Sequence, residues 1–159
     1  MPVCNLSNLK KALKEGQCLL GIDPGSKVIG VAISDPNLCV ASPLKSIIRN
    51  KFSEDARAVA ALILERNVGG IIIGLPKNMD GSEGPAAQSA RAFANNLLQR
   101  GNLPNTDLPV VFWDERLSTA AVTRFMIEDD MSRKKRDAKV DSAAAAYILQ
   151  GALDGLKNH

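Results

Sequence analysis

Gly21-Ile22-Asp23-Pro24-Gly25-Ser26-Lys27, continuing through Val28-Ile29-Gly30-Val31-Ala32, is the stretch that decides the fold. An apolar run from Cys18 ends in a carboxylate, reverses at Pro24-Gly25 and resumes as a second run from Val28 to Ser34. Two such runs around a Pro-Gly signal predict consecutive strands joined by a short turn. An acid closing an apolar central strand is costly to bury unless a cation or hydrogen-bond donors meet it. Asp23 therefore either bonds the Gly25-Ser26 turn or serves a site at that edge of the sheet.

Working outward, Asp35-Pro36-Asn37 marks a second turn, and Cys39 to Ile47 reads as a third strand. Ser53-Glu54-Asp55 starts a helix that runs to about Glu65. Val68 to Leu75 is continuously apolar, as a strand covered on both faces should be. A polar loop, Pro76 to Gly84, leads into a helix from Pro85 to Arg100, with Pro85 in its first turn and Gly101 at its C-terminal cap. Leu108 to Trp113 is a fifth strand. Ser118 caps a helix to about Met131, a basic loop follows, and Val140 to Leu156 is an alanine-rich last helix. The order β-β-β-α-β-α-β-α-α predicts an α/β fold: a mixed five-stranded sheet with helices on both faces.

A length of 159 residues, with 45% hydrophobic and 23% charged side chains, suits one core and hence one domain over residues 18–156. Residues 1–17 form an N-terminal arm or short helix, with Leu6, Leu9 and Leu13 among Lys10, Lys11 and Lys14; it is expected to pack on the domain rather than act as a leader. No apolar run approaches the ~18 residues of a membrane span, so no membrane partner is expected. Cys4, Cys18 and Cys39 lack CxxC spacing, which argues against a disulfide framework or a zinc site and for a reducing, cytoplasmic setting. The sole histidine, His159, is the last residue, which removes Ser-His, Cys-His and HExxH chemistry. Catalysis would rest on carboxylates, lysines or backbone, and any metal would be a hard cation such as Mg2+ or Mn2+.

Two further acidic positions bear on such a cation. Phe112-Trp113-Asp114-Glu115-Arg116 places adjacent carboxylates where a strand yields to a helix, the edge at which open α/β sheets gather function. Successive strand residues face opposite ways, so Asp114 and Glu115 cannot both address one site while the strand stays regular. Lys139-Val140-Asp141-Ser142 puts Asp141 in the first turn of the last helix, where the helix dipole also favours an aspartate. Carboxylates from the first strand, fifth strand and last helix can converge on two divalent ions ~3.5 to 4 Å apart, suited to phosphodiester hydrolysis.

The charge is +3 overall, yet Arg133-Lys134-Lys135-Arg136-Asp137-Ala138-Lys139 alone nets +4, a concentration suited to phosphate. Lys27, Lys77, Asn78, Ser82 and Arg116, on loops at the same sheet edge, are further candidates for nucleic-acid backbone contact, as are Arg133, Lys134, Lys135, Arg136 and Lys139. Aromatic residues make up only 4% of the chain, which disfavours recognition by stacked bases and predicts salt-sensitive phosphate contact.

GIDPGSKVIGVAISD, GLPKNMDGSEG, WDERLSTAAV and KVDSAAAAYIL, in this order, closely resemble the YqgF/RuvX family from about Leu19 to Leu153. That resemblance implies an RNase H-like fold related to Holliday junction resolvases and a nuclease acting on the small-subunit (pre-16S) rRNA precursor or on branched DNA. It also implies Asp23, Glu115 and Asp141 as catalytic metal ligands for Mg2+ or Mn2+, with Asp114 the substitute for Glu115 under a different strand register. Where related resolvases often carry a glutamate, the fourth strand here has Ile73-Gly74-Leu75. Junction cutting would favour a homodimer, whereas trimming one RNA strand needs only a monomer. Two alternatives are a non-catalytic RNA-binding ribosome-assembly factor and, from the Asp-Pro-Gly-Ser turn, an ATP-binding protein like the actin and sugar-kinase folds.

Overall fold

In the computed structural model, which describes residues 4–25, 27–78, 80–100, 108–114 and 133–157, the Pro24-Gly25 reversal joins β1 (Cys18–Pro24) to β2 (Val28–Ser34). The pair is antiparallel, with Gly21 opposite Ala32 and Asp23 opposite Gly30. β3 (Ala41–Ile48) continues the antiparallel half on the far side of β2. β4 (Val68–Leu75) lies parallel to β1 on its other side, and β5 (Val110–Asp114) lies parallel to β4. The order across the sheet is β3-β2-β1-β4-β5. All eight residues of β4 are buried, as its unbroken apolar run predicts for a strand with neighbours on every side.

Strand alternation divides the core into two layers. Leu20, Ile22, Ile71, Ile73 and Val110 face α2 (Phe52–Glu65) and α3 (Pro85–Arg100), whose Val59, Leu62, Phe93 and Leu97 complete that side. Leu19, Ile72 and Val111 face α1 (Leu6–Ala12) and α4 (Arg133–Leu156), through Leu9, Ala145, Ile148, Leu149 and Leu153. The alanine-rich sequence of α4 lets it lie very close to β1. A Cβ added at Gly21 would stand 2.8 Å from the Leu149 Cβ and 3.0 Å from the Ala145 carbonyl oxygen.

The N-terminal helix is built into this second layer. Asn5 caps α1 by accepting the Asn8 N–H at 2.9 Å, and Leu9 is fully buried. The Lys10 ammonium reaches the last turn of α4, donating to the Leu156 carbonyl at 3.4 Å. Complete burial of one leucine stabilises by about 1.5–3 kcal/mol.

Three elements start two or more residues away from where they are expected, each for a local reason. β3 begins at Ala41 rather than Cys39, because the Asp35 carboxylate accepts the N–H groups of Cys39 and Val40 and draws both into the turn. β5 begins at Val110 rather than Leu108, since Pro109 has no N–H for a ladder; its carbonyl instead accepts from Ile71. The third difference is the largest: the basic stretch is no loop, because α4 already starts at Arg133. Arg, Lys and Ala are strong helix formers, and no glycine or proline interrupts the way to Val140. The helix expected from Ser118 to Met131 and the cap expected at Gly101 lie outside the described residues.

Candidate active site

Asp23 stands at the C-terminal end of β1, half-buried, after five buried residues. In the ladders Ile22 is level with Ile73, and Ile73 with Phe112; one step on, Gly74 is level with Trp113. Residues level with one another in parallel strands share a face. Gly21, Ile72 and Val111 lie on the α4 side, so two residues further on Asp23, Gly74 and Trp113 lie there too. Asp114, level with Leu75, belongs to the opposite face, where Leu75 packs on Ala87 and Ala90 of α3. Asp23 and Asp114 are thus on different sides of the sheet.

α4, which carries position 141, covers the face of the sheet that bears Asp23. Gln150 accepts the Ala41 N–H at 2.9 Å; Ala41 is paired with Ser34, and the Ser34 hydroxyl accepts the Leu19 N–H at 2.8 Å. That is the N-terminal end of β1. Ala145, further back along α4, touches Gly21 in the middle of β1. Leu149, one turn on, meets Gly21 as well, so α4 crosses β1 at its middle. Position 141 is one turn before Ala145 on the stripe 141, 145, 149.

Of the other candidate ligands and contacts, Glu115 and Arg116 lie outside the described residues. Asp141, Arg133, Lys134, Lys135, Arg136 and Lys139 are placed by their backbone on the first turns of α4. Among the described side chains there is no cluster of three metal-ligating groups. The donor set nonetheless suits a hard cation, since the available ligands are carboxylates and the histidine is terminal. Desolvation raises the Cys18 and Cys4 thiols above their ordinary pKa.

The loop after β4 is ordered from within. Asn78 donates through its side chain to the Ser82 hydroxyl (3.0 Å) and through its backbone to the Ser82 carbonyl (2.9 Å). Ser82 in turn donates its hydroxyl to Asp80 at 2.6 Å. Asn78 and Ser82 are thus committed to each other and to Asp80, while Lys27 is exposed and Lys77 half-buried. Glu83 takes Arg91 in a two-point grip, at 2.6 and 2.8 Å, and the Arg91 guanidinium stacks 4.9 Å above Phe112 of β5. The Arg91 hydrogen bonds hold the Glu83 carboxyl below its ordinary range, aided by the charges of Arg91 and Lys77 and opposed by desolvation.

Arg49, Glu83 and Arg91 were not singled out by sequence. Arg49 donates to the Gly25 carbonyl at 2.9 Å and stacks 5.5 Å over Phe93, bracing the turn that follows Asp23. Its only sequence signal is an arginine just past a strand, and an eight-residue spacing across a loop marks no Glu-Arg pair.

A family profile described as RuvX, Holliday junction resolvase, matches residues 17–155. A Chelativorans sp. (strain BNC1) protein, provisionally named a pre-16S rRNA nuclease, is 55% identical over 157 residues, covering 99% of this chain and 95% of that protein. A Caulobacter vibrioides (strain NA1000 / CB15N) protein of the same provisional name is 51% identical over 158 residues, covering 99% of each. Among solved structures, T. thermophilus RuvC in complex with Holliday junction substrate superposes with a TM-score of 0.55 at 13% identity, over 89% of this chain and 96% of that one. At that identity the likeness concerns the fold, which is RNase H-like.

Proposed function

From the premise that this chain belongs to the RuvX Holliday junction resolvase family, we propose that it is a divalent-metal-dependent endonuclease whose ligands are Asp23, Glu115 and Asp141. The observation that carries this reading is the shared face of the sheet. Asp23 lies on the side of the sheet that α4 covers, Asp141 is carried by the first turns of that helix, and Asp114 lies on the other side. Because Asp114 lies on the side away from Asp23, its neighbour in sequence, Glu115, is favoured as third ligand. Between β1 and β5, β4 carries Gly74, which has no side chain to fill that face of the sheet.

These carboxylates would hold Mg2+ or Mn2+, two ions in the arrangement suited to an in-line displacement, and the metal supplies Lewis acidity for phosphodiester hydrolysis. The chain's own contribution is placement. Arg49 braces the Asp23 turn, α4 supplies Asp141 from a helix seated on Gly21, and the Arg91 grip holds the β4–α3 loop at the same edge. Lys27, Lys77, Arg116 and the cations that open α4 would take the phosphate backbone. Phosphate contact by Asn78 or Ser82 would compete with the bonds they already make.

The name carried by relatives above 50% identity puts pre-16S rRNA first as substrate and branched DNA second. The test is cleavage of an RNA resembling the small-subunit precursor, and of a four-way DNA junction, in Mg2+, Mn2+ or EDTA. Asp23→Asn, Glu115→Gln and Asp141→Asn should each abolish metal-dependent cutting while binding persists, and Asp114→Asn should retain it. Binding without cutting by the wild-type chain on both substrates would replace the nuclease by an assembly factor.

A further inference from the structure

Trp113, the one tryptophan of the chain, is the last residue of β5 on its α4 side, two residues before Glu115 in sequence. Its ring sits over two glycines of α4, one turn apart. A Cβ at Gly151 would lie 3.0 Å from its Cζ2 and Nε1 and 3.1 Å from its Cε2. A Cβ at Gly155 would lie 3.7 Å from the far rim of the ring and 2.9 Å from Leu6 of α1. The notch therefore fits an indole closely, and a Cβ at 151 requires the ring to give by a few tenths of an ångström. The indole Nε1 is buried, and among the described residues no acceptor meets it. An unpaired buried donor is destabilising, so a purely apolar ring would serve a core better; what the indole contributes here is its shape.

The same helix touches the sheet closely a second time, at Gly21, two residues before Asp23. Each close contact thus precedes a proposed ligand by two residues in sequence, and both are made by the helix that carries Asp141. We propose that Trp113, seated in the Gly151–Gly155 notch, is a positioning residue that fixes the end of β5 against α4, the helix that carries Asp141, and through that contact supports metal binding. This rests on the assignment of Asp23, Glu115 and Asp141 as ligands.

The experiment uses the full-length chain, its Gly151→Ala and Trp113→Phe variants and the double variant. Mn2+ affinity is measured from free Mn2+ by electron paramagnetic resonance, and kcat and KM on the cleaved substrate, with circular dichroism to report folding. Gly151→Ala pushes the indole outward and should weaken Mn2+ binding and kcat about tenfold, as loss of support behind a metal ligand does, with KM unchanged. Trp113→Phe removes much of the ring that the new methyl meets, so the double variant should recover most of the loss. Should Gly151→Ala not fold, Trp113→Phe alone, which slackens the notch, should lower Mn2+ affinity in a folded protein. Folded variants with wild-type Mn2+ affinity and kcat, or a loss that the double variant does not recover, would overturn the proposal. Failure of the wild-type chain itself to bind Mn2+ would instead remove the ligand assignment beneath it.

Discussion

At Asp23 a carboxylate ends a strand whose five preceding residues are buried, at the edge where β1, β4 and β5 all terminate. Replacing it with asparagine keeps its size and removes its charge. Asp23→Asn should lower the metal-dependent cleavage rate about a hundredfold or more, the scale of losing several kcal/mol of charge stabilisation, and should leave the melting temperature nearly unchanged. A different acid answers to pH through folding. Asp35 accepts the Val40 and Cys39 N–H groups, and these bonds hold its pKa below the ordinary value. Its contribution to stability is complete above the unfolded-state pKa of about 3.9 and is lost as the pH falls through the lowered folded value. Asp35→Asn should therefore melt below wild type at pH 7, with the gap closing at about pH 2; thermal melts at both values check this.

The decisive element is α4, which seals one face of the sheet and opens with the basic stretch. A methyl at Gly21 would intrude on Leu149 and Ala145, so Gly21→Ala should cost about 1–3 kcal/mol in chemical denaturation, the range of overpacking. Neutralising Lys134 and Lys135 together should flatten the dependence of log affinity on log salt. The slope should fall by about 0.7 for each phosphate of a single strand that is no longer neutralised, read from binding between low and moderate salt. Sequence made most of these elements legible. Val28–Ser34, Val68–Leu75 and Pro85–Arg100 stand where periodicity and turn residues put them, because their boundaries are set by local chemistry. It misjudged the start of α4 because charge density marks a loop and a solvated helix face alike. The Asp23 edge was readable from one costly acid in an apolar strand. The braces at Arg49 and Arg91 were not, since they depend on Phe93 and Phe112 being near, which only tertiary packing provides.

At the scale of the molecule, two helical layers enclose a five-stranded sheet, and the face formed by α1 and α4 is also the one that bears Asp23. The N-terminal helix belongs to that layer through Leu9, so Leu9→Ala should lower unfolding free energy by about 2–5 kcal/mol in urea titration, whereas a loosely attached arm would show almost no change. The β3 edge is exposed but carries Pro43 and Lys45, which discourage strand addition by another molecule. The central claim is that carboxylates from β1, the end of β5 and the start of α4 converge on the α4 side of the sheet to hold a divalent cation. Anomalous diffraction from crystals soaked in Mn2+ measures this most directly. The account predicts a manganese peak with oxygens of Asp23, Glu115 and Asp141 at about 2.1 Å, the distance expected for a small hard cation. A peak bound by Asp114 on the α3 side, or none near Asp23 at saturating Mn2+, would contradict it.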